Sequence, residues 1–225
     1  MRPRICVTIL SKNLRQLLKL ISKAEKEHPD MIEIRLDALI GDYDIDKIRS
    51  ATEIPLIATN RKIEEGGMSQ QEEDERIKTL IEASRAGFDF IDLELKTQNL
   101  EWAIEEIEKN GSKSIISFHE MSKTPSENEM GDILNKEKSY GAYICKIVGM
   151  AKAFEDNLKY LNFVSKNRSE RLICFGMGEA GIVSRVLSPI FGAYLTFASI
   201  PGGGKGAPGQ ISISEIKSIY RGLKI

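Results

Sequence analysis

The chain has 225 residues, and its 32 Lys and Arg against 33 Asp and Glu leave a formal net charge of -1. That balance excludes generic attraction to nucleic acid or to an anionic membrane, and apolar runs far below the roughly 18 residues of a span exclude a transmembrane helix. A hydrophobic fraction of 41% with 29% charged residues is that of a folded globule, and residues 1–225 suffice for a single α/β core.

From the N-terminus, Met1-Arg2-Pro3-Arg4 leads into about six apolar-rich residues, too few for a secretory signal, so the cytoplasm is the expected compartment. β-Branched runs then alternate with amphipathic stretches. Strands are expected at Ile5 to Leu10, Met31 to Asp37, Pro55 to Asn60, Phe90 to Leu95, Ser114 to His119, Tyr143 to Gly149, Arg171 to Met177 and Tyr194 to Ser199. Helices are expected between and after them, at Leu14 to Glu27, Asp44 to Ser50, Gln70 to Ala86, Leu100 to Lys109, Glu127 to Ser139, Ala153 to Lys166, Ala180 to Leu187 and Ser214 to Leu223. Eight of each in alternation predict a closed (β/α)8 barrel. Cys6, Cys145 and Cys174 each sit inside an apolar run without CxxC spacing and read as buried thiols.

The strands separate a barrel from a doubly wound sheet, whose strands are covered on both faces and read as continuous apolar runs. Side chains alternate along a strand, so Ile32, Ile34 and Leu36 share one face and Glu33, Arg35 and Asp37 the other. Asp92 and Glu94, Ser117 and His119, and Lys146 repeat the pattern. Charged residues late in several strands predict a polar cluster inside the carboxyl mouth, where such barrels place their sites. Two glycine-rich stretches, at residues 64–67 and 201–210, fall where catalytic loops belong, while Met121 to Gly131 reads as a surface loop with Ser126 capping the next helix.

Lys146, in the middle of a central strand, must lose much of its hydration. Burial and cationic neighbours favour a neutral amine able to attack a carbonyl, while the plainer alternative is a lysine whose stem packs in the barrel and whose head reaches water or pairs with Glu33 or Glu94. His119 at a strand end suits proton transfer, or serves as a satisfied structural histidine. Arg35, Arg61 and Arg185 end or follow barrel strands. Singly each is an ordinary ion-pair candidate; converging with Glu33 and Glu65 they describe a pocket for a small, polar, anionic substrate.

The ordered set Glu33-x-Arg35-x-Asp37, Arg61-x-x-x-Glu65-Gly66-Gly67, Asp92-Leu93-Glu94, Ser117-x-His119, Lys146, Ser184-Arg185 and Ala207-Pro208-Gly209-Gln210 closely resembles type I 3-dehydroquinate dehydratase. The resemblance runs from the first strand to the last helix. It implies a (β/α)8 barrel, a homodimer, and a shikimate-pathway lyase that needs no metal or cofactor. By position, Lys146 matches the Schiff-base lysine, His119 the catalytic histidine and Glu65 its carboxylate partner. Glu33, Arg35, Arg61, Arg185 and Gln210 match the substrate-binding set. Two features depart from the family pattern: Gly206 stands where a serine is common, and the N-terminal hairpin that plugs the barrel bottom in longer members is expected to be absent or much reduced.

The implied mechanism is condensation of Lys146 with the C3 ketone of 3-dehydroquinate, removal of a C2 proton by His119, and loss of the C1 hydroxyl as water. Arg185 is expected to hold the ring carboxylate, and Glu33, Arg35 and Arg61 to read the C4 and C5 hydroxyls. A class I aldolase or transaldolase acting on a sugar phosphate is the competing enzyme, and a non-catalytic barrel that binds a small acid the competing non-enzyme. The glycines of residues 202–206 predict a lid whose closure rests on Gln210 and backbone amides, with Lys205 attracting the carboxylate and Gly206→Ser tolerated or tightening binding.

Overall fold

Eight strands form close to their expected bounds in the computed structural model, which describes residues 2–204 and 206–225. They are β1 (Ile5–Ile9), β2 (Met31–Arg35), β3 (Leu56–Thr59), β4 (Phe90–Glu94), β5 (Lys113–Glu120), β6 (Ile144–Met150), β7 (Leu172–Met177) and β8 (Thr196–Ala198). All pair in parallel in the order β7-β6-β5-β4-β3-β2-β1-β8, with Ile5 opposite Thr196 where the last strand meets the first. Between β7 and β8 the Tyr194 amide donates to the Leu172 carbonyl at 2.7 Å. The result is a nearly closed (β/α)8 barrel.

Alternation divides the strand residues as the sequence pattern requires. Ile32, Ile34, Leu56, Ala58, Ile91 and Leu93 point outward into the core shared with the helices. Cys6, Met31, Ile57, Phe90, Ile115, Ile144 and Ile173 fill the lumen. On β1 to β6 a polar side chain follows this apolar plug two positions further along the strand, whereas β7 keeps Phe175 and Met177 there. The plug's floor is closed by stacked cations and aromatic rings. Arg171 lies 4.2 Å and Lys113 4.6 Å from the Tyr143 ring centroid, and Arg4 lies 4.5 Å from that of Tyr194. Residues 2–4, which precede β1, contain no strand, and no helix among the described residues is long and apolar enough to cross a membrane.

The helices are α1 (Leu14–Glu25), α2 (Ile45–Arg49), α3 (Glu73–Arg85), α4 (Leu100–Lys109), α5 (Glu127–Ser139), α6 (Asp156–Lys166), α7 (Ile182–Phe191) and α8 (Ile213–Gly222). Local chemistry accounts for their ends. Asn13 accepts from the Gln16 amide at the start of α1, whose Leu17, Leu20, Ile21 and Ala24 form its buried stripe. Ser126 with Glu129, and Ser212 with Glu215, close reciprocal caps on α5 and α8.

Three helices depart from their expected bounds by three or more residues, and of these α3 begins at Glu73 rather than Gln70. Helix α6 begins at Asp156 rather than Ala153 because the Asp156 carboxylate turns back to accept from the amides of Lys152 and Ala153. Helix α7 starts after a 3-10 turn at Glu179–Gly181 and runs past Leu187 through Pro189 to Phe191. A proline lacks the amide that would bond four residues back. The carbonyl so orphaned is that of Arg185, and the Thr196 hydroxyl on β8 donates to it at 2.7 Å. All three cysteines are buried free thiols.

Candidate active site

The eight residues singled out from sequence line one cavity of about 300 Å³ at the carboxyl mouth. Inward parity brings in Glu33 and Arg35 from β2, His119 from β5 and Lys146 from β6. Arg61 and Glu65 follow β3, Arg185 lies on the first turns of α7, and Gln210 sits before α8. Val148, Phe175, Met177 and Phe197 supply the apolar wall.

Lys146 is 5% exposed, and its Nζ donates to Asp92 Oδ2 at 2.7 Å while lying 4.5 Å from the Phe197 ring centroid. The partner is therefore neither Glu33 nor Glu94. Glu94 is held instead by Arg76 at 2.6 Å, and Glu33 by hydroxyls, with Thr8 at 2.7 Å and Thr59 at 2.8 Å. Asp92 also accepts from Ser117 Oγ at 2.6 Å. Burial alone would raise the Asp92 carboxyl, but the adjacent Arg61 and Lys146 cations hold it far below the usual carboxylate range.

His119 Nδ1 lies 3.1 Å from Glu65 Oε2 and 2.9 Å from Arg61 Nη1. Burial, then the Arg61 and Lys146 charges, push the imidazole well below its ordinary value. Burial, followed by nearby carboxylates and opposed by Arg61, pushes Glu65 up to about 7. Near neutral pH the imidazole is thus uncharged and the carboxyl about half protonated, so the two do not meet as a full ion pair.

The three arginines differ in what they have left to offer. Arg35 is committed to Asp37 through two bonds, at 2.9 and 2.6 Å, and gives Nη1 to the Gly206 carbonyl. Arg61 reaches Ser117, His119 and Asp92. Arg185 is 1% exposed, its Nε has no hydrogen-bond partner, and among the described residues no carboxylate pairs with it. It lies against the Phe175 ring at 4.4 Å and donates only to the Pro208 carbonyl at 3.3 Å, and burial pushes its guanidinium down to about 10. A buried guanidinium without a counter-ion is costly; opening into a cavity, it is a receptor for an anion. Its helix is seated by Ser184, whose Oγ accepts from the Gly176 amide, at a crossing where a Cβ on Gly181 would meet the Gly176 backbone at 2.5 Å.

Gly206, Ala207, Pro208 and Gln210 of the glycine-rich stretch line this mouth. Gly206 donates its amide to Gln210 Oε1 at 2.6 Å, Gln210 Nε2 donates to Thr8 Oγ1 at 3.2 Å, and Thr8 passes the chain on to Glu33. A Cβ on Gly206 would stand 2.7 Å from Thr8 Cγ2, so a serine there requires Thr8 to give way. Lys205, expected to attract the carboxylate, lies outside the described residues. Thr8 and Thr59 escaped sequence reasoning, although inward parity on β1 and β3 marks both. Asp92 was placed in the lumen but not beside the lysine, because alternation gives the face of a residue and not its partner.

Enzymes of the (β/α)8 class build their sites at this end of the barrel, and fold and cavity together place the chain among them. The Type I 3-dehydroquinase family model matches residues 5–225. The 3-dehydroquinate dehydratase of Methanococcus maripaludis is 36% identical over 219 residues, covering 96% of this chain and 98% of that protein. That of Dehalococcoides mccartyi is 32% identical over 221 residues, covering 98% and 96%. Among solved structures, 3-dehydroquinate dehydratase from Geobacillus kaustophilus superposes with a TM-score of 0.92 at 27% identity, covering 100% of this chain and 92% of that one. The type I enzyme from Clostridium difficile with covalent modified comenic acid gives 0.85 at 32% identity, covering 99% and 92%. The chain belongs to the type I 3-dehydroquinase family and is a hydro-lyase.

Proposed function

We propose that the chain dehydrates 3-dehydroquinate to 3-dehydroshikimate through a Schiff base on Lys146, as a cytoplasmic homodimer in the shikimate pathway. The observation that carries this reading is one cavity holding a buried amine, a histidine with its carboxyl partner, and an unneutralised guanidinium. Arg185 takes the ring carboxylate and so points the C3 ketone toward Lys146. The amine of Lys146 attacks C3, the resulting carbinolamine loses water, and the iminium acidifies the C2 hydrogens. His119 takes a C2 proton, the C1 hydroxyl leaves as water with a proton returned by His119, and hydrolysis of the imine frees the product. Asp92 remains the counter-ion beside the nitrogen throughout, since condensation exchanges one cation for another. Glu33, Arg35 and Arg61 read the C4 and C5 hydroxyls, and Gln210 ties the glycine-rich segment over the ring.

Borohydride added with 3-dehydroquinate or its product is expected to fix one adduct on Lys146 and to abolish activity, read by peptide mass. Label on a different lysine, or full activity in Lys146→Ala, refutes the assignment. Family membership decides against the sugar-phosphate aldolase.

A further inference from the structure

Arg61 does more than line the cavity. Its guanidinium is 4% exposed and joins both halves of the site. Nη1 donates to Ser117 Oγ at 3.1 Å and stands 2.9 Å from His119 Nδ1, the same nitrogen that Glu65 Oε2 approaches to 3.1 Å. Nη2 lies 2.7 Å from Asp92 Oδ2, the oxygen that also holds Lys146. A guanidinium nitrogen carries hydrogens and no available lone pair, so its contact with Nδ1 is a hydrogen bond only while Nδ1 is bare. On a neutral ring the proton is then on Nε2.

We infer that Arg61 is a positioning residue for proton transfer, holding His119 Nδ1 as an acceptor in the empty enzyme and so keeping the ring proton on Nε2. The inference rests on the proposed acid–base role of His119. A ring in this form donates a proton at Nε2 and cannot accept one there, so it is set for imine formation and not yet for C2 deprotonation. Imine formation itself converts it. The Nε2 proton passes to the carbinolamine hydroxyl, whose C–O bond breaks to release water, while the protonated Glu65 passes its proton to Nδ1. The ring stays neutral, Glu65 becomes a carboxylate accepting from Nδ1–H, and one proton has moved from Glu65 to the departing water; the proton that the Lys146 ammonium sheds to become the attacking amine leaves to solvent before this step. Nε2 is now bare and able to take the C2 proton. Arg61 Nη1 has lost its acceptor and is freed for the new carboxylate or a substrate hydroxyl. Arg61 thereby orders the two proton transfers.

The groups facing His119 are Arg61 and Glu65 after β3, Arg35 on β2, Asp92 on β4 and Lys146 on β6. With Glu65 ionised at about pH 8, carboxylate and guanidinium compete for opposite tautomers, which makes that pH decisive. The test is nitrogen NMR of ligand-free enzyme carrying labelled histidine, with His119→Gln used only to separate the His119 signals from those of His28. Wild type is expected to show an unprotonated Nδ1 and a protonated Nε2 at about pH 8, and Arg61→Met to shift the proton to Nδ1. A protonated Nδ1 in wild type overturns the inference, as does an unchanged tautomer in Arg61→Met. The wild-type spectrum decides even if the variant does not fold. Borohydride labelling of wild type is run beside it: label on Lys146 with the wrong tautomer sinks the role of Arg61 alone, whereas absence of label sinks the proposed reaction.

Discussion

Replacing Glu65 with Gln tests the electrostatics of the site without any substrate. Burial is the largest influence on this carboxyl, and against the pull of Arg61 it is raised from 4.5 to about 7. A carboxyl raised by folding binds its proton more tightly in the native state than in the unfolded chain, so ionising it costs stability. That cost is absent below the unfolded value near 4.5, grows as pH rises through the interval, and is complete above about 7. The displacement converts to about 3 kcal/mol. Glutamine keeps the shape and has nothing to ionise, so Glu65→Gln is expected to gain most of that amount over wild type between about pH 5 and about pH 8. Urea unfolding at both pH values reads it, as the difference between the two proteins. His119 acts with the opposite sign, since its lowered value costs stability as pH falls below its ordinary range, but both proteins retain it and it cancels. A difference that does not change with pH, or a variant that loses ground as pH rises, would show that Glu65 is not held protonated by burial.

Arg185→Met removes the buried, unpaired cation; its fall to about 10 converts to up to about 3 kcal/mol of stability recovered, equal at pH 6 and pH 8, together with a large rise in KM. Loss of stability in that variant with an unchanged KM would refute the anion receptor. Gly206→Ser is expected to weaken product binding several-fold because its Cβ meets Thr8 Cγ2, and the Thr8→Ser/Gly206→Ser pair to recover it; calorimetric titration of product decides, and equal affinity in the single variant refutes the contact.

Strand parity made the barrel and the contents of its mouth legible, because alternation is a local property that no distant contact can reverse without flipping a whole strand. Glu33, Lys146 and His119 could be placed in the lumen from β2, β5 and β6 alone. Pairing was less accessible. Nothing in the spacing distinguishes Asp92 from Glu94 as the lysine's partner, a choice made when Arg76 from α3 reaches in to occupy Glu94. The end of α7 depended on a hydroxyl from β8 covering the carbonyl that Pro189 leaves open, a contact eleven residues away in sequence. The obstacle at Gly206 required knowing that Thr8, at the other end of the chain, is pinned by both Glu33 and Gln210.

Pairing also explains why the mouth selects an anion although the chain as a whole is almost neutral. Four cationic side chains, Arg35, Arg61, Lys146 and Arg185, face the three carboxylates Glu33, Asp37 and Asp92 around a Glu65–His119 pair that is uncharged while Glu65 holds its proton. With Glu65 protonated one positive charge is left over, and among the described residues Arg185 is the cation of the four with no carboxylate in contact, since Arg35 has Asp37 and Arg61 and Lys146 share Asp92. A monocarboxylate with a neutral polyhydroxylated ring cancels that excess; a phosphate would overshoot it. Condensation keeps a cation beside Asp92, because the iminium takes the place of the Lys146 ammonium, while the cavity gives up the one proton the ammonium sheds and holds Glu65 as a carboxylate. Elimination moves a proton within the ring and its partners and adds no net charge to the cavity. Glu65 therefore supplies the proton that imine formation consumes and takes it back when the imine is hydrolysed, leaving solvent to supply the water of hydrolysis and to receive the proton the ammonium sheds.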